Sequence, residues 1–135
     1  MPSVIVLCSA NSIRSPMAEG LWRLQAPDWK VESAGALGAG RLHPMVVQVL
    51  TEVGGEMDRF LSRDLSEVRG AFDLAVLLSE EAHERFPLVP FAAQTLFWPM
   101  PDPTASSSRD RLGAFRALRD ELTAAIKSFL ASKDP

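Results

Sequence analysis

Ser3 to Leu7, SVIVL, is an apolar, largely β-branched run with no alternation, and it leads without a break into a cysteine. A strand that is apolar on both faces has to be buried on both faces, which a parallel sheet covered by helices on either side achieves. The next stretch, CSANSIRS from Cys8 to Ser15, is small and polar, and Pro16 comes directly after it. Proline is favoured at the first helical position and serine as the cap before it, so a helix is expected to begin at Ser15, with Ala18, Leu21, Trp22 and Gln25 at helical spacing.

The same alternation runs through the rest of the chain. Lys30 to Ala34 (KVESA) reads as a second strand, and Gly35, Gly38 and Gly40 break the next stretch into a loop. His43-Pro44 opens a second helix with Val46, Val49, Leu50 and Val53 on its apolar face, stopped by Gly54-Gly55. Asp73 to Leu78 (DLAVLL) is a buried strand, a short helix carries Glu80, Glu81 and Glu84, and Thr95 to Trp98 is a fourth strand. The last helix is expected over Arg109 to Ser132, with Leu112, Phe115, Leu122, Ile126 and Phe129 on one face. Strand and helix in alternation predict a doubly wound α/β sheet with right-handed crossovers. At 135 residues this is one domain, 1–135, without a linker and with no low-complexity stretch beyond Thr104 to Ser108.

Composition narrows the function classes. With 47% hydrophobic and 23% charged residues and only short apolar runs, the chain is expected to be soluble, with no membrane partner. The N-terminus shows no basic leader, so the expected location is the cytoplasm. One cysteine cannot form an internal disulfide, and with only His43 and His83 beside it no metal site is expected. A net charge of -3 without a Lys/Arg cluster argues against nucleic acid as the partner.

The loop between the first strand and helix carries the chemistry. Consecutive backbone amides from Ser9, Ala10, Asn11, Ser12 and Ile13, feeding a helix N-terminus, make a cradle for an anion, because those amides are unpaired and the helix dipole is positive there. The same field favours the thiolate of Cys8. Arg14 can clamp two oxygens bidentately, Ser15 can donate a hydrogen bond to the thiolate, and Asn11 tolerates the left-handed backbone that a tight loop needs. A lone cysteine after a strand is ordinarily a small core residue, and Asn in a turn is common. The coincidence of the preceding strand, Arg14, Ser15 and a proline-started helix favours instead a nucleophile acting on a phosphate-like tetrahedral oxyanion.

The segment VIVLCSANSIRSPMAEGLW closely resembles the active-site strand, loop and helix of the low-molecular-weight phosphotyrosine phosphatase superfamily, which includes the thioredoxin-coupled arsenate reductases. The resemblance continues through ESAG (Glu32 to Gly35), HPMVVQVLTEVG (His43 to Gly54), LSRDLSEV (Leu61 to Val68), FDLAVLLS (Phe72 to Ser79) and WPMPDP (Trp98 to Pro103), and so covers most of the chain. It implies a four-stranded parallel sheet in the order 2-1-3-4. It also implies Cys8 as nucleophile, Arg14 as oxyanion clamp, Ser15 as thiolate stabiliser, Asn11 as loop organiser and Asp102 as general acid. Glu19, Ser33 and Arg63 correspond to groups behind the loop, where some members bind potassium and others place a basic residue; Arg63 suggests the second kind. Asp102 also makes chemical sense, since a carboxylic acid eases expulsion of the leaving oxygen and the flanking prolines stiffen its loop, although Asp-Pro alone would read as an ordinary turn. Trp98 reads as the packed end of a strand rather than a substrate wall, and His43 and His83 receive no role.

Phosphatase and arsenate reductase share the first step, attack by Cys8 with Asp102 protonating the leaving oxygen. The middle of the chain resembles the reductases, and Thr104 and Ala105 come after Asp102-Pro103 where the tyrosine phosphatases of the family usually carry aromatics. One departure is that Ser79 and Phe86 stand where the thioredoxin-coupled reductases carry two further cysteines. No cofactor is expected, and the electrons have to come from an external thiol: thioredoxin, glutaredoxin or a low-molecular-weight thiol. The expectation is an arsenate reductase with phosphatase side activity. The alternatives are a protein tyrosine phosphatase working through phosphocysteine and a non-catalytic oxyanion-binding protein.

Overall fold

The opening apolar run forms β1 (Ser3–Cys8), and Val4 to Leu7 are wholly buried. The structure, a computed structural model, describes residues 1–105 and 110–133. In chain order β1 is followed by α1 (Arg14–Gln25), β2 (Lys30–Gly35), α2 (Pro44–Thr51), a 3-10 turn (Leu65–Glu67), β3 (Phe72–Leu77), α3 (Glu80–Arg85), β4 (Ala92–Phe97) and α4 (Arg111–Lys133). Among the described residues the strands form one four-stranded parallel sheet in the order β2-β1-β3-β4, as the resemblance implies.

Period-two side-chain alternation explains why β1 has to be apolar throughout. Val4, Val6 and Cys8 face a layer that includes Met17, Leu21 and Trp22 of α1, Val46 and Leu50 of α2, and Phe115, Leu122 and Ile126 of α4. Ile5 and Leu7 face the other layer, with Leu65, Leu77 and Ala82. Cys8 therefore closes the strand on the side of α1. Arg116 and Arg119 of α4 meet Glu52 just beyond α2 and tie those two helices together.

Element edges depart from the sequence expectation in instructive ways. α1 starts at Arg14 with Ile13 in the cap position and no side-chain cap bond, so Ser15 lies inside the first turn rather than capping it. α2 ends at Thr51, which leaves Val53 outside the helix and 46% exposed, with Gly54 at φ +88° reversing the chain. β4 begins at Ala92 and ends at Phe97, because an edge strand with few buried residues carries little patterning. Trp98 stacks on Trp22 at a ring separation of 6.0 Å, a packed strand end. Arg109, where the last helix was expected to begin, and Ser106 to Ser108 lie outside the described residues. No described helix is long and apolar enough to cross a membrane.

All strands point the same way, so the loops after β1, β2, β3 and β4 gather at their carboxyl ends. The crevice there lies where chain order reverses between β1 and its neighbours, the position at which doubly wound sheets take ligands. The fit between two of these loops leaves no room for a side chain at Gly35: a Cβ there would collide with Gly38 O and fall 3.0 Å from the Ala10 carbonyl carbon. Gly35→Ala is therefore expected to cost about 1–3 kcal/mol of stability, read as an earlier urea midpoint, and to weaken phosphate binding in the same preparation.

Candidate functional site

The carbonyls of the Cys8–Ser12 stretch are held from outside. Ala36 N–H donates to Cys8 O (2.8 Å), Leu37 N–H to Ser9 O (2.9 Å), Gly40 N–H to Ala10 O (2.7 Å) and His43 N–H to Ser12 O (3.0 Å). Ser62 Oγ donates to Asn11 O at 2.8 Å. With its carbonyls turned outward, the loop is left with inward amides, and among the described residues Ser9 to Ile13 donate no backbone hydrogen bond to protein. This is the geometry of an anion nest at a helix N-terminus. Asn11 makes it possible: at φ 53° it is the non-glycine residue in the left-handed region among those described, and it reverses the loop at its middle.

A chain of hydrogen bonds leads to the sulfur, and its first links have a determined direction. Arg63 N–H, which can only donate, bonds Asn11 Oδ1 at 3.0 Å and so fixes the orientation of that amide. Asn11 Nδ2 then donates to Ser15 Oγ (2.9 Å) and to Ser33 Oγ (3.0 Å). Having accepted from Asn11, Ser15 is free to direct its own proton to Cys8 Sγ, 2.9 Å away, and Ser15 N–H approaches the same sulfur at 3.4 Å. Cys8 is 3% exposed, so these bonds meet a sulfur shielded from water, where each is electrostatically stronger.

Behind the loop, Ser33 Oγ donates a hydrogen bond to Glu19 Oε1 at 2.7 Å, and Arg23 pairs with the other Glu19 oxygen at 3.1 Å. Burial raises the Glu19 carboxyl above its ordinary value, and Ser33, Arg23 and Arg63 offset this only in part. Arg63 reaches Ser33 O through Nε (3.1 Å) and pairs with Glu32. Glu19 Oε2, Ser33 O and Glu32 thus each meet a guanidinium of the chain itself. Among the described residues no three His, Cys, Asp or Glu side chains converge as a metal site would require.

Arg14 lies at the mouth of the loop, where Nη1 donates to Met100 O at 3.2 Å and so ties the clamp to the segment carrying Asp102. Asp102 Oδ1 accepts from Thr104 N–H (2.9 Å) and Thr104 Oγ1 (2.7 Å). Burial pushes its carboxyl up, but the Thr104 bonds and the charges of Arg14 and His43 outweigh that and hold it below the ordinary carboxylate value. With the folded value depressed, Asp102 adds stability above its unfolded value, and that contribution is lost as the pH falls through the folded one. A bound oxyanion would act in the opposite direction from Arg14, pushing the carboxyl up toward the protonated form an acid needs.

The structure thus brings Cys8, Ser9 to Ile13, Arg14, Ser15 and Asp102 to one crevice, with Glu19, Ser33 and Arg63 behind it. Sequence reasoning missed the supporting groups: Ser62, Glu32, the Met100 carbonyl, and His43, whose Nδ1 accepts from Met45 N–H (3.1 Å) to cap α2 and whose N–H holds Ser12 O. Serine or histidine before a helix signals a cap, but nothing local reveals what the cap's own backbone holds. Ser79 caps α3 and bonds Ser9 Oγ at 3.0 Å, and Phe86 closes the other end of that helix.

The sequence matches the family described as Low molecular weight phosphotyrosine protein phosphatase over residues 3–134. It is 33% identical over 131 residues to an arsenate reductase of Bacillus subtilis (strain 168), covering 93% of each chain. It is 34% identical over 131 residues to one of Shouchella clausii (strain KSM-K16), again covering 93% of each. A solved structure of an arsenate reductase in the reduced state superimposes with a TM-score of 0.79 at 26% identity, covering 99% of this chain and 100% of that one.

A hydrogen bond to a charged sulfur contributes about 1.5–3 kcal/mol, so Ser15→Ala should slow alkylation of Cys8 by iodoacetamide at neutral pH by roughly tenfold or more. Phosphate should protect the unaltered protein. An unchanged rate in Ser15→Ala would break the assigned direction of the hydrogen-bond chain.

Proposed function

The chain belongs to the low molecular weight phosphotyrosine protein phosphatase family, and from that premise we propose that it is an arsenate reductase whose reductant is an external thiol. The observation that carries the reading is Cys8 beneath a nest of free amides, at the end of a hydrogen-bond chain that runs from Arg63 through Asn11 and Ser15 to its sulfur. The similarity to arsenate reductases over nearly the whole chain supports arsenate as the oxyanion.

In this reading the amides from Ser9 to Ile13 and the Arg14 guanidinium hold arsenate with its arsenic in line with Cys8 Sγ. The thiolate forms a bond to arsenic while an As–O bond breaks, and Asp102 gives its proton to the departing hydroxide, which leaves as water. An external thiolate then bonds to Cys8 Sγ. The electron pair of the S–As bond stays with arsenic, which leaves as arsenite, and Cys8 remains in a mixed disulfide with the reductant. A second thiol reduces that disulfide and restores Cys8. One arsenate and two thiols become one arsenite, one disulfide and one water. Ser79 and Phe86 stand where a cysteine relay would, and Cys8 is the only cysteine in the sequence, so both thiols come from outside. Turnover that draws on reduced thiols fits the cytoplasm.

The test is arsenite formation from arsenate with a panel comprising thioredoxin, glutaredoxin and low-molecular-weight thiols, beside an aryl phosphate assay. Mass spectrometry of protein trapped in turnover should find Cys8 joined to arsenic or to the reductant. If aryl phosphates turn over while arsenate consumes none of the thiols, the reductase reading falls and hydrolysis of a phosphocysteine replaces it. Cys8→Ser should bind phosphate without turnover and Arg14→Ala should lose both. Asp102→Asn should slow aryl phosphate cleavage by roughly two to four orders of magnitude, least for leaving groups that depart without a proton.

A further inference from the structure

Opposite the Asp102 segment, the wall of the crevice is built by α3. Ser9, the residue after the nucleophile, bonds Ser79 Oγ and also Glu81 Oε2, the latter at 3.3 Å. Glu80, Glu81, Arg14 and the segment from Pro99 to Pro101 enclose a cavity of about 280 Å³. Both glutamates are exposed to solvent, and Arg14 is the cation among the described residues lining the cavity. Glu81 is held ionised, first by its own backbone amide and then by Ser9, Arg14 and Ser79, which together overcome its slight desolvation.

Arg14 lines the cavity, and Glu81, which also lines it, accepts from Ser9, the residue next to Cys8, so a reagent reaching Cys8 from this side passes the Glu81 carboxylate. Once an oxyanion is bound, Arg14 is engaged by it, and the nearby charge facing an incoming molecule is negative: the adduct, Glu80, Glu81 and, on the other side, Asp102. We propose that Glu81 is a specificity-determining residue for the external thiol, disfavouring thiols that carry carboxylates and leaving uncharged small thiols as the reductants. The inference rests on the reductase reading for its substrate. In the step that Glu81 screens, the incoming thiolate bonds to Cys8 Sγ, the S–As electron pair reduces arsenic, and the disulfide is the oxidised product. Glu81 also serves the N-terminus of α3. Glutamine retains the acceptor for Ser9 and removes only the charge, which separates the two roles.

The experiment measures exchange at Cys8 with two disulfides, the dianionic dithiobis-nitrobenzoate and the neutral dithiodipyridine, in the unaltered protein and in Glu81→Gln. The anionic-to-neutral rate ratio should rise about three- to tenfold in Glu81→Gln at low ionic strength. It should rise further in Glu81→Lys, and the difference should shrink with added salt. A parallel arm measures arsenite production with mercaptoethanol against mercaptosuccinate, where Glu81→Gln should narrow the preference for the uncharged thiol by a similar factor. A ratio that stays put in both variants, or moves toward the neutral reagent, overturns the assignment. The disulfide arm needs no arsenate, so it decides Glu81 by itself, whereas arsenite production from none of the thiols would sink the reductase reading separately.

Discussion

The hydrogen bond from Arg63 N–H to Asn11 Oδ1 is the contact on which the site depends, because its donor cannot be exchanged and it therefore fixes which way the Asn11 amide faces. It orients the Asn11 amide, the amide donates to Ser15 and Ser33, and Ser15 Oγ in turn lies 2.9 Å from Cys8 Sγ. A buried polar network of this kind strengthens each of its bonds in a low dielectric and is costly when one partner is missing. The same low exposure that makes the network effective is what makes a single substitution in it consequential for reactivity rather than for packing alone.

The sheet supplies the rigidity this arrangement needs. β1 is buried on both faces and Cys8 is its last residue, so the sulfur inherits the placement of a central strand. The loop beyond it is fixed from outside by segments that arrive from three other connections: residues 36–43 after β2, Ser62 and Arg63 before β3, and Ser79 after β3. Turning the carbonyls outward toward these segments is the same act as turning the amides inward toward a ligand, since each peptide unit carries both groups on opposite sides. Met100, which accepts from Arg14, brings the connection after β4 into the same assembly.

Charge is arranged in two layers around this cradle. Behind it, Arg63, Arg23, Glu19 and Glu32 form compensated pairs, so the positive field at the loop comes from amides and Arg14. In front, Glu80 and Glu81 line a cavity with Arg14, and the charge of Arg14 also reaches Asp102. A carboxyl held below its ordinary value beside Arg14, and pushed up by the charge of any bound oxyanion, has its protonation tied to occupancy.

Sequence alone determined the class of fold and the outline of the loop from Cys8 to Ser15, because both are local: a short β-branched apolar run without alternation suits a strand buried on both faces, and Cys8, Arg14, Ser15 and Pro16 lie within one strand-loop-helix unit. It misjudged Ser15 as a cap and Val53 as part of a helical face, where only neighbouring elements decide. Glu19, Ser33, Arg63 and Asp102 were reached through family resemblance, and their spacing along the chain says nothing about who meets whom. Ser62, Glu32, the Met100 carbonyl and Glu81 had no sequence signal at all. Tertiary structure decided those partners, because a hydrogen bond between residues 52 positions apart, such as Arg63 to Asn11, exists only once the parallel crossovers have brought their loops to one edge of the sheet.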